Sequence, residues 1–103
     1  MPINVSGQLS LLRVHDRGTG FGPSSDFIDV EVVVQFVGRP ATEAYGFQLR
    51  SDGNLAARQG MLDLLRDAFN HAWTANIDHE TPAGKHKGII IRVWLTKPPG
   101  VPA

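Results

Sequence analysis

The chain contains 103 residues, with ten Lys and Arg against ten Asp and Glu, so it has the length of one compact domain and no formal net charge at pH 7. These totals do not support the broad basic face of a duplex-binding protein, and we predict that nucleic acid is not a partner. The chain has no cysteine, which excludes disulfide frameworks, thiolate zinc sites and thiol nucleophiles. No apolar stretch is long enough to span a membrane and no secretory signal begins the chain. We therefore expect one soluble, cytoplasmic domain over residues 1–103.

The first predicted strand covers residues 5–15. It is rich in Val and Leu, but the alternation slips at Leu11-Leu12, which predicts a bulge near that pair. Residues 16–26 are mostly turn formers, in a run too long for a two-residue hairpin turn. We therefore predict a long loop between this strand and the next.

The clearest strand signal covers residues 28–37, where every second residue is apolar. This pattern predicts that one face turns toward a core. The predicted core-facing residues are Ile28, Val30, Val32, Val34 and Phe36. A third predicted strand covers residues 44–50, with Tyr45, Phe47 and Leu49 on one face.

Residues 55 to about 77 have apolar residues at spacings of three and four, which predicts a long helix. Gly60 interrupts this pattern, because a glycine inside a helix lowers stability by about 1 kcal/mol relative to Ala. Either a neighbouring backbone leaves no room for a side chain at position 60, or the first turn of the segment is a separate element. A last strand is predicted over residues 88–96, and residues 98–103 are predicted to form a flexible Pro-rich tail. On that strand Ile89, Ile91, Val93 and Leu95 alternate with Ile90, Arg92, Trp94 and Thr96.

This order, β-β-β-α-β, predicts an α+β fold. The economical architecture is a two-layer sandwich, in which a four-stranded and mainly antiparallel sheet has one long helix on one face. The helix would return the last strand parallel to the third strand, most simply beside the first.

One helix covers one face of such a sheet, so the other face must meet water, a ligand or another chain. The predicted residues of that face are Val33, Val37, Ile90, Arg92 and Trp94. Apolar and aromatic residues beside an Arg are typical of interface cores, and we predict a homodimer, or contact with a protein partner, through this face. The alternative is that these residues are scattered singly, or are covered by the long loop and the tail.

The glycine-rich part of the long loop, residues 17–26, is the other candidate site. A strand follows it, whereas a phosphate-binding glycine loop precedes a helix. Loops nevertheless carry many binding groups, so a small enzyme or ligand-binding protein with its site here is the alternative function. The candidate ligand-contacting residues are Arg17, Thr19, Phe21 and Ser24.

Metal and nucleic-acid sites are weaker hypotheses. His71, His79 and His86 lie near carboxylates, but their spacing matches no strong metal signature, so we predict no metal and no cofactor. Arg92 and Trp94 could stack on bases, but acidic residues 29 and 31 would share their face and repel phosphates. No set of residues identifies a catalytic site.

Overall fold

The computed structural model of the chain describes residues 3–18, 22–40, 42–82 and 85–97, to which the structural findings refer. The strands are β1 (Ile3–Gly7), β2 (Leu9–Val14), β3 (Val32–Phe36), β4 (Ala44–Phe47), β5 (Thr74–Glu80) and β6 (Lys87–Thr96), with a helix α1 (Leu55–His71) and a short 3-10 turn (Ser24–Asp26). They form one sheet in the order β1-β5-β6-β4-β3-β2, antiparallel except for the β4–β6 pair. The α+β class is confirmed, but the predicted number of four strands is wrong because the mixed sheet has six.

The two edges of this sheet converge where β1 ends and β2 begins. Gly7 pairs with Ala75 of β5, whereas Leu9 pairs with Phe36 of β3 at the opposite edge. Two consecutive residues span at most about 7 Å, whereas the edges of a flat six-stranded sheet lie about 24 Å apart. The sheet therefore curls, and the predicted first strand is two strands separated by Gln8. The predicted irregularity lies one step earlier than expected, where the register of β2 shifts between Leu9 and Leu11.

The helix is shorter than predicted. It ends at His71, followed by Ala72 in the left-handed conformation with φ of 55°, and the Trp73 amide donates to the Ala68 carbonyl oxygen at 3.1 Å. The chain then enters β5, so Ile77 lies on a strand and not on the predicted helix. The ranges that the structure describes contain no helix long and apolar enough to cross a membrane.

The last strand, β6, runs parallel to β4, as predicted, but it lies between β4 and β5 and not beside the first strand. Its register with β5 shifts, because Arg92 pairs with Asp78 while Ile90 pairs with His79. Ile91 is the extra residue between them, a β-bulge that reverses the alternation. Ile90 consequently joins Val93 in the helix-side core, and its predicted placement on the opposite face is wrong.

The main core lies between the helix and the concave face of the sheet. Leu65 and Ala68 are the fully buried residues of the helix. They pack with buried strand residues, namely Val5, Leu9, Val32, Val34, Phe36, Tyr45, Phe47, Ala75, Ile77, Ile90 and Val93.

A second, smaller cluster covers part of the opposite face. Ile28 and Val30 precede β3 and pack with Val33, Ala44 and Leu11. The prediction that Ile28 and Val30 share a face with the apolar residues of β3 on the helix side is therefore wrong. The regular strand begins only at residue 32, and Ile28 and Val30 before it pack with Val33 on the opposite face.

Candidate ligand pocket

A cavity of about 300 Å³ opens beside edge strand β1, at the end of β5 and the beginning of β4. Its apolar wall includes Ile3, Val5 and the ring of Tyr45. Its polar residues come from distant segments of the chain, namely Asn4, Arg39, Glu43, His79, Thr81, Lys85 and His86. The curled sheet brings these segments together, so the pocket is a product of the tertiary fold.

Gly88 explains how two rings of the pocket meet across an intervening strand. Tyr45 of β4 is registered with Gly88 of β6, and His79 lies on β5 at the other side of β6. The two rings lie 4.4 Å apart between centroids, with planes inclined by 45°. A Cβ atom at position 88 would collide with Thr81 Oγ1 and lie 2.6 Å from His79 Nδ1. Because Gly88 has no side chain, the His79 side chain and the Thr81 hydroxyl occupy the space beside it.

His79 is the most unusual polar residue of the pocket. Only 4% of its surface is exposed, and its Nδ1 lies 2.7 Å from Thr81 Oγ1. Its Nε2 is buried and has no hydrogen-bond partner among the described residues. Burial, and secondarily the charge of Arg39, lowers the pKa of His79, so the ring is neutral at pH 7. A buried polar atom left without a partner is unfavourable and rare, and it commonly marks a missing water, ion or ligand.

Tyr45 and Glu43 form a second polar group of the pocket. The Tyr45 hydroxyl donates to Glu43 Oε2 at 3.2 Å, and Arg39 Nη1 donates to the same oxygen at 3.1 Å. Burial, followed by the charge of Glu43, raises the pKa of Tyr45, so the phenol keeps its proton. Gly38, with φ of 83°, lies in the turn after β3, and Arg39 follows it directly.

The rim of the pocket is tied to the end of the long loop through Asp26. The Lys87 ammonium, almost fully buried, lies 2.9 Å from Asp26 Oδ2, and the His86 amide donates to Asp26 Oδ1 at 3.0 Å. The backbone donor of His86, then Lys87, lowers the pKa of Asp26 to about 2. Lys85 donates to the Ser25 carbonyl oxygen. The loop thus reaches the candidate site through its last residues.

The predicted ligand-loop residues do not line this cavity within the described part of the chain. Arg17 is exposed in a turn, and Ser24 begins the 3-10 turn. Thr19 and Phe21 lie outside the described residues. The loop hypothesis stays a prediction, and the contacts of the loop with the pocket rim are made by Ser25 and Asp26.

The predicted interface residues separate into buried and exposed positions. Val33 is fully buried under the second cluster, and Ile90 is 2% exposed in the main core. Val37 lies in the turn after β3 and is 61% exposed. Arg92 and Trp94 lie on the outer face of β6, with Trp94 38% exposed. A common surface therefore exists for Arg92 and Trp94, but it does not include Val33 or Ile90.

The prediction that acidic residues 29 and 31 share the face of Arg92 is also wrong. Its Nη1 lies 2.7 Å from Asp78 Oδ2, on the neighbouring strand. Asp29 and Glu31 instead bind Arg50, whose Nη2 lies 2.9 Å from Asp29 Oδ1 and 3.0 Å from Glu31 Oε2. The acidic residues therefore do not lie beside Arg92.

The three histidines considered for metal binding lie in different environments. His71 stacks on Trp73 at the end of the helix, His79 is inside the pocket, and His86 contacts Asp26 at the rim. No group of three or more metal-ligating side chains occurs in the described ranges. The pocket residue His79 could have been recognised only if β5 had been predicted, because it continues the alternation of Ala75 and Ile77. Comparison with protein-family models, curated proteins and solved structures finds no match for this chain.

Proposed function

We propose that this chain is a small-molecule-binding domain whose site is the cavity around His79. The observation that supports this proposal most directly is the buried Nε2 of His79, which has no partner among the described residues. A core histidine without a function would be expected to satisfy both ring nitrogens or to be replaced by an apolar residue.

The size and composition of the cavity are consistent with this function. Its volume of about 300 Å³ is at the lower end of the range for small-molecule sites. Such sites combine an apolar wall with a few polar groups that orient the ligand. Here Ile3 and Val5 belong to the wall, and His79 and Lys85 are among the polar groups.

An NMR-monitored fragment screen tests the proposal. The histidine and tyrosine ring signals of the chain would be followed during titration with a library of small polar fragments. We expect at least one fragment to shift the His79 and Tyr45 signals saturably. His71, which stacks on Trp73 at the helix end, is the internal control that should not move.

A variant pair localises the binding. Gly88→Ala would displace the His79 side chain and weaken binding, because the added Cβ occupies the space beside Nδ1. Trp94→Gln, on the outer face of β6, should bind as the parent chain does. The proposal fails if no fragment saturates, or if fragments shift His71 as strongly as His79.

Self-association through the outer face of β5 and β6 is a second candidate function. Trp94 is partly exposed there, and Arg92 and Asp78 present opposite charges side by side. Two copies related by a two-fold axis could pair these charges reciprocally, and the zero net charge of the chain lowers the repulsion between copies. Binding of a different protein partner and a cytoplasmic location stay predictions.

Light scattering coupled to size-exclusion chromatography tests the second candidate. We expect a dimer for the parent chain, weaker in high salt because its charge pairs are screened, and a monomer for Trp94→Glu. Phe69→Glu, which places the same charge at an exposed apolar position of the helix, is the matched control and should remain dimeric. A monomeric parent chain at every concentration would contradict the dimer.

A further inference from the structure

We infer that the ligand of the His79 pocket is a small organic anion, with a carboxylate or phosphate oxygen that accepts a hydrogen bond from the Nε2–H group of His79. This inference rests on the proposed function, because it names the class of ligand that the same cavity takes. Two features support the inference. One is the position of the proton on the His79 ring next to Thr81, and the other is the positive charge of the cavity wall.

The hydroxyl of Thr81 decides which ring nitrogen of His79 carries the proton. Thr81 Oγ1 lies 2.7 Å from His79 Nδ1, and this is its hydrogen bond in the described part of the chain. If the hydroxyl donates, its proton is used and Nδ1 is the bare nitrogen. If Nδ1–H donated instead, the hydroxyl proton would need another acceptor. We infer that the hydroxyl donates, which places the single ring proton on Nε2.

A neutral ring with its proton on Nε2 is a hydrogen-bond donor and cannot accept there. The ring is neutral because burial and the nearby guanidinium of Arg39 disfavour the imidazolium form. The atom left without a partner is therefore an N–H group. Its complement is an oxygen acceptor, which excludes an ammonium group as the part of the ligand that binds here.

The charges around the cavity favour an acceptor that is negative. Arg39 and Glu43 neutralise each other at 3.1 Å, and the Tyr45 hydroxyl is already bonded to the same carboxylate. Lys85 adds a positive charge to the wall, and among the described residues its ammonium donates to the Ser25 carbonyl oxygen, which uses one of three N–H groups. The wall therefore has an excess of one cation, and an anion would receive hydrogen bonds from both Lys85 and His79.

Access to Nε2 requires a movement of the wall, because this atom is buried in the ligand-free protein. Ile3 is the cross-strand neighbour of His79 on edge strand β1, and 51% of its surface is exposed. A side chain at an exposed sheet edge changes rotamer rapidly, and it can turn outward when the ligand enters. The apolar body of the ligand would then lie against Ile3 and Val5.

The tautomer of His79 is the first test. Long-range ¹H–¹⁵N spectra at pH 7 distinguish a protonated ring nitrogen from a bare one. We expect His79 to be neutral, with its proton on Nε2. A proton on Nδ1, or a charged ring, would overturn the inference without affecting the existence of the pocket.

A matched ligand series is the second test. Benzoate, phenyl phosphate, benzyl alcohol and benzylamine share the ring and differ in the polar group. We expect the two anions to shift the His79 ring signals, benzyl alcohol to bind about tenfold more weakly or worse, and benzylamine not to bind. A preference between benzoate and phenyl phosphate identifies the carboxylate or the phosphate as the natural group.

Two substitutions of the same residue link the affinity to Nε2. The amide of His79→Gln can reach the position of Nε2, whereas that of His79→Asn reaches only the position of Nδ1. We expect His79→Gln to retain more benzoate affinity than His79→Asn, and Lys85→Gln to weaken benzoate binding about tenfold while leaving benzyl alcohol binding unchanged. Arg66→Gln, which removes the same charge on the exposed surface of the helix, is the control outside the cavity.

The outcomes separate this inference from the proposed function. If benzylamine binds as well as benzoate, the pocket is a ligand site but the anion inference is wrong. If none of the four probes and no fragment of the wider screen moves His79, both the inference and the proposed function are wrong. Equal affinity of the Gln and Asn variants would also contradict a hydrogen bond from Nε2.

Discussion

The ring centroids of Tyr45 and His79 lie 4.4 Å apart, although a complete strand, β6, lies between their two strands in the sheet. The contact forms over Gly88, which has no side chain to separate the two rings. The two rings thus pack beside a glycine of the sheet, and His79, whose buried Nε2 has no partner among the described residues, belongs to the wall of a cavity.

Gly88→Ala should destabilise the protein by about 1–3 kcal/mol, the usual effect of an added methyl group in a space that is already filled. The new Cβ would lie 2.6 Å from His79 Nδ1, so the side chain must move. Urea unfolding measures the change in free energy. An unchanged unfolding midpoint would show that position 88 has room for a side chain and that the His79 packing is looser than described.

Gly60→Ala should have the opposite effect and stabilise the protein by about 0.5–1 kcal/mol. Gly60 lies inside α1, and a Cβ atom built there meets nothing within 4 Å. Backbone crowding therefore does not keep this glycine. The same urea experiment checks the prediction, and a destabilised Gly60→Ala protein would refute it.

Asp26→Asn should lower the free energy of unfolding at neutral pH. In acid, the variant and the parent chain should be equally stable. The pKa of Asp26 is lowered to about 2 in the folded protein, from an ordinary value of 3.8. A lowered pKa stabilises the fold above the unfolded-state pKa, and this contribution disappears as the pH falls toward 2. The difference in unfolding free energy between the parent chain and Asp26→Asn should therefore shrink between pH 5 and pH 2.

Asp63→Asn is the control for this titration, because Asp63 forms an exposed pair with Arg66 on the helix surface. Its effect on stability should be small at every pH. A constant difference between the parent chain and Asp26→Asn over the acid range would mean that the contacts to His86 and Lys87 do not depend on the charge of Asp26.

Arg50→Met should lower the urea midpoint much more than Arg66→Met. Arg50 pairs with Glu31, whose side chain is only 5% exposed, so removing Arg50 leaves a buried carboxylate without its cation. Arg66 pairs with an exposed carboxylate, and such pairs contribute little to stability. Adding Glu31→Gln to Arg50→Met should recover part of the loss. Similar losses for the two Arg variants would contradict the structural role of the Arg50–Glu31 pair.

The sequence predicted much of the fold because the central strands and the helix have clear periodicities. It did not predict β5, since residues 69–77 satisfy helical spacing and strand alternation at the same time. The helix ends at His71, the next residue Ala72 has the left-handed conformation, and no glycine marks that position. The sequence also did not predict the bulge at Ile91, because a run of three isoleucines does not indicate which one is the extra residue.

The candidate site was harder to predict than the fold. Arg39, Tyr45 and His79 are separated along the chain, and only the strand order brings them to one cavity. The one local signal is Gly88, because a glycine inside a strand often marks a close approach of other groups. That signal identifies a position of close packing, but it does not identify the groups that pack there.

The measurement that tests the account most directly is the His79 ring signal of the intact chain during titration with benzoate, with His71 as the internal reference. The account predicts a neutral ring with its proton on Nε2, and a saturable shift of the His79 signal alone. A proton on Nδ1, or a His79 signal that neither benzoate nor phenyl phosphate moves at any concentration, would contradict the assignment of this cavity as an anion-binding site.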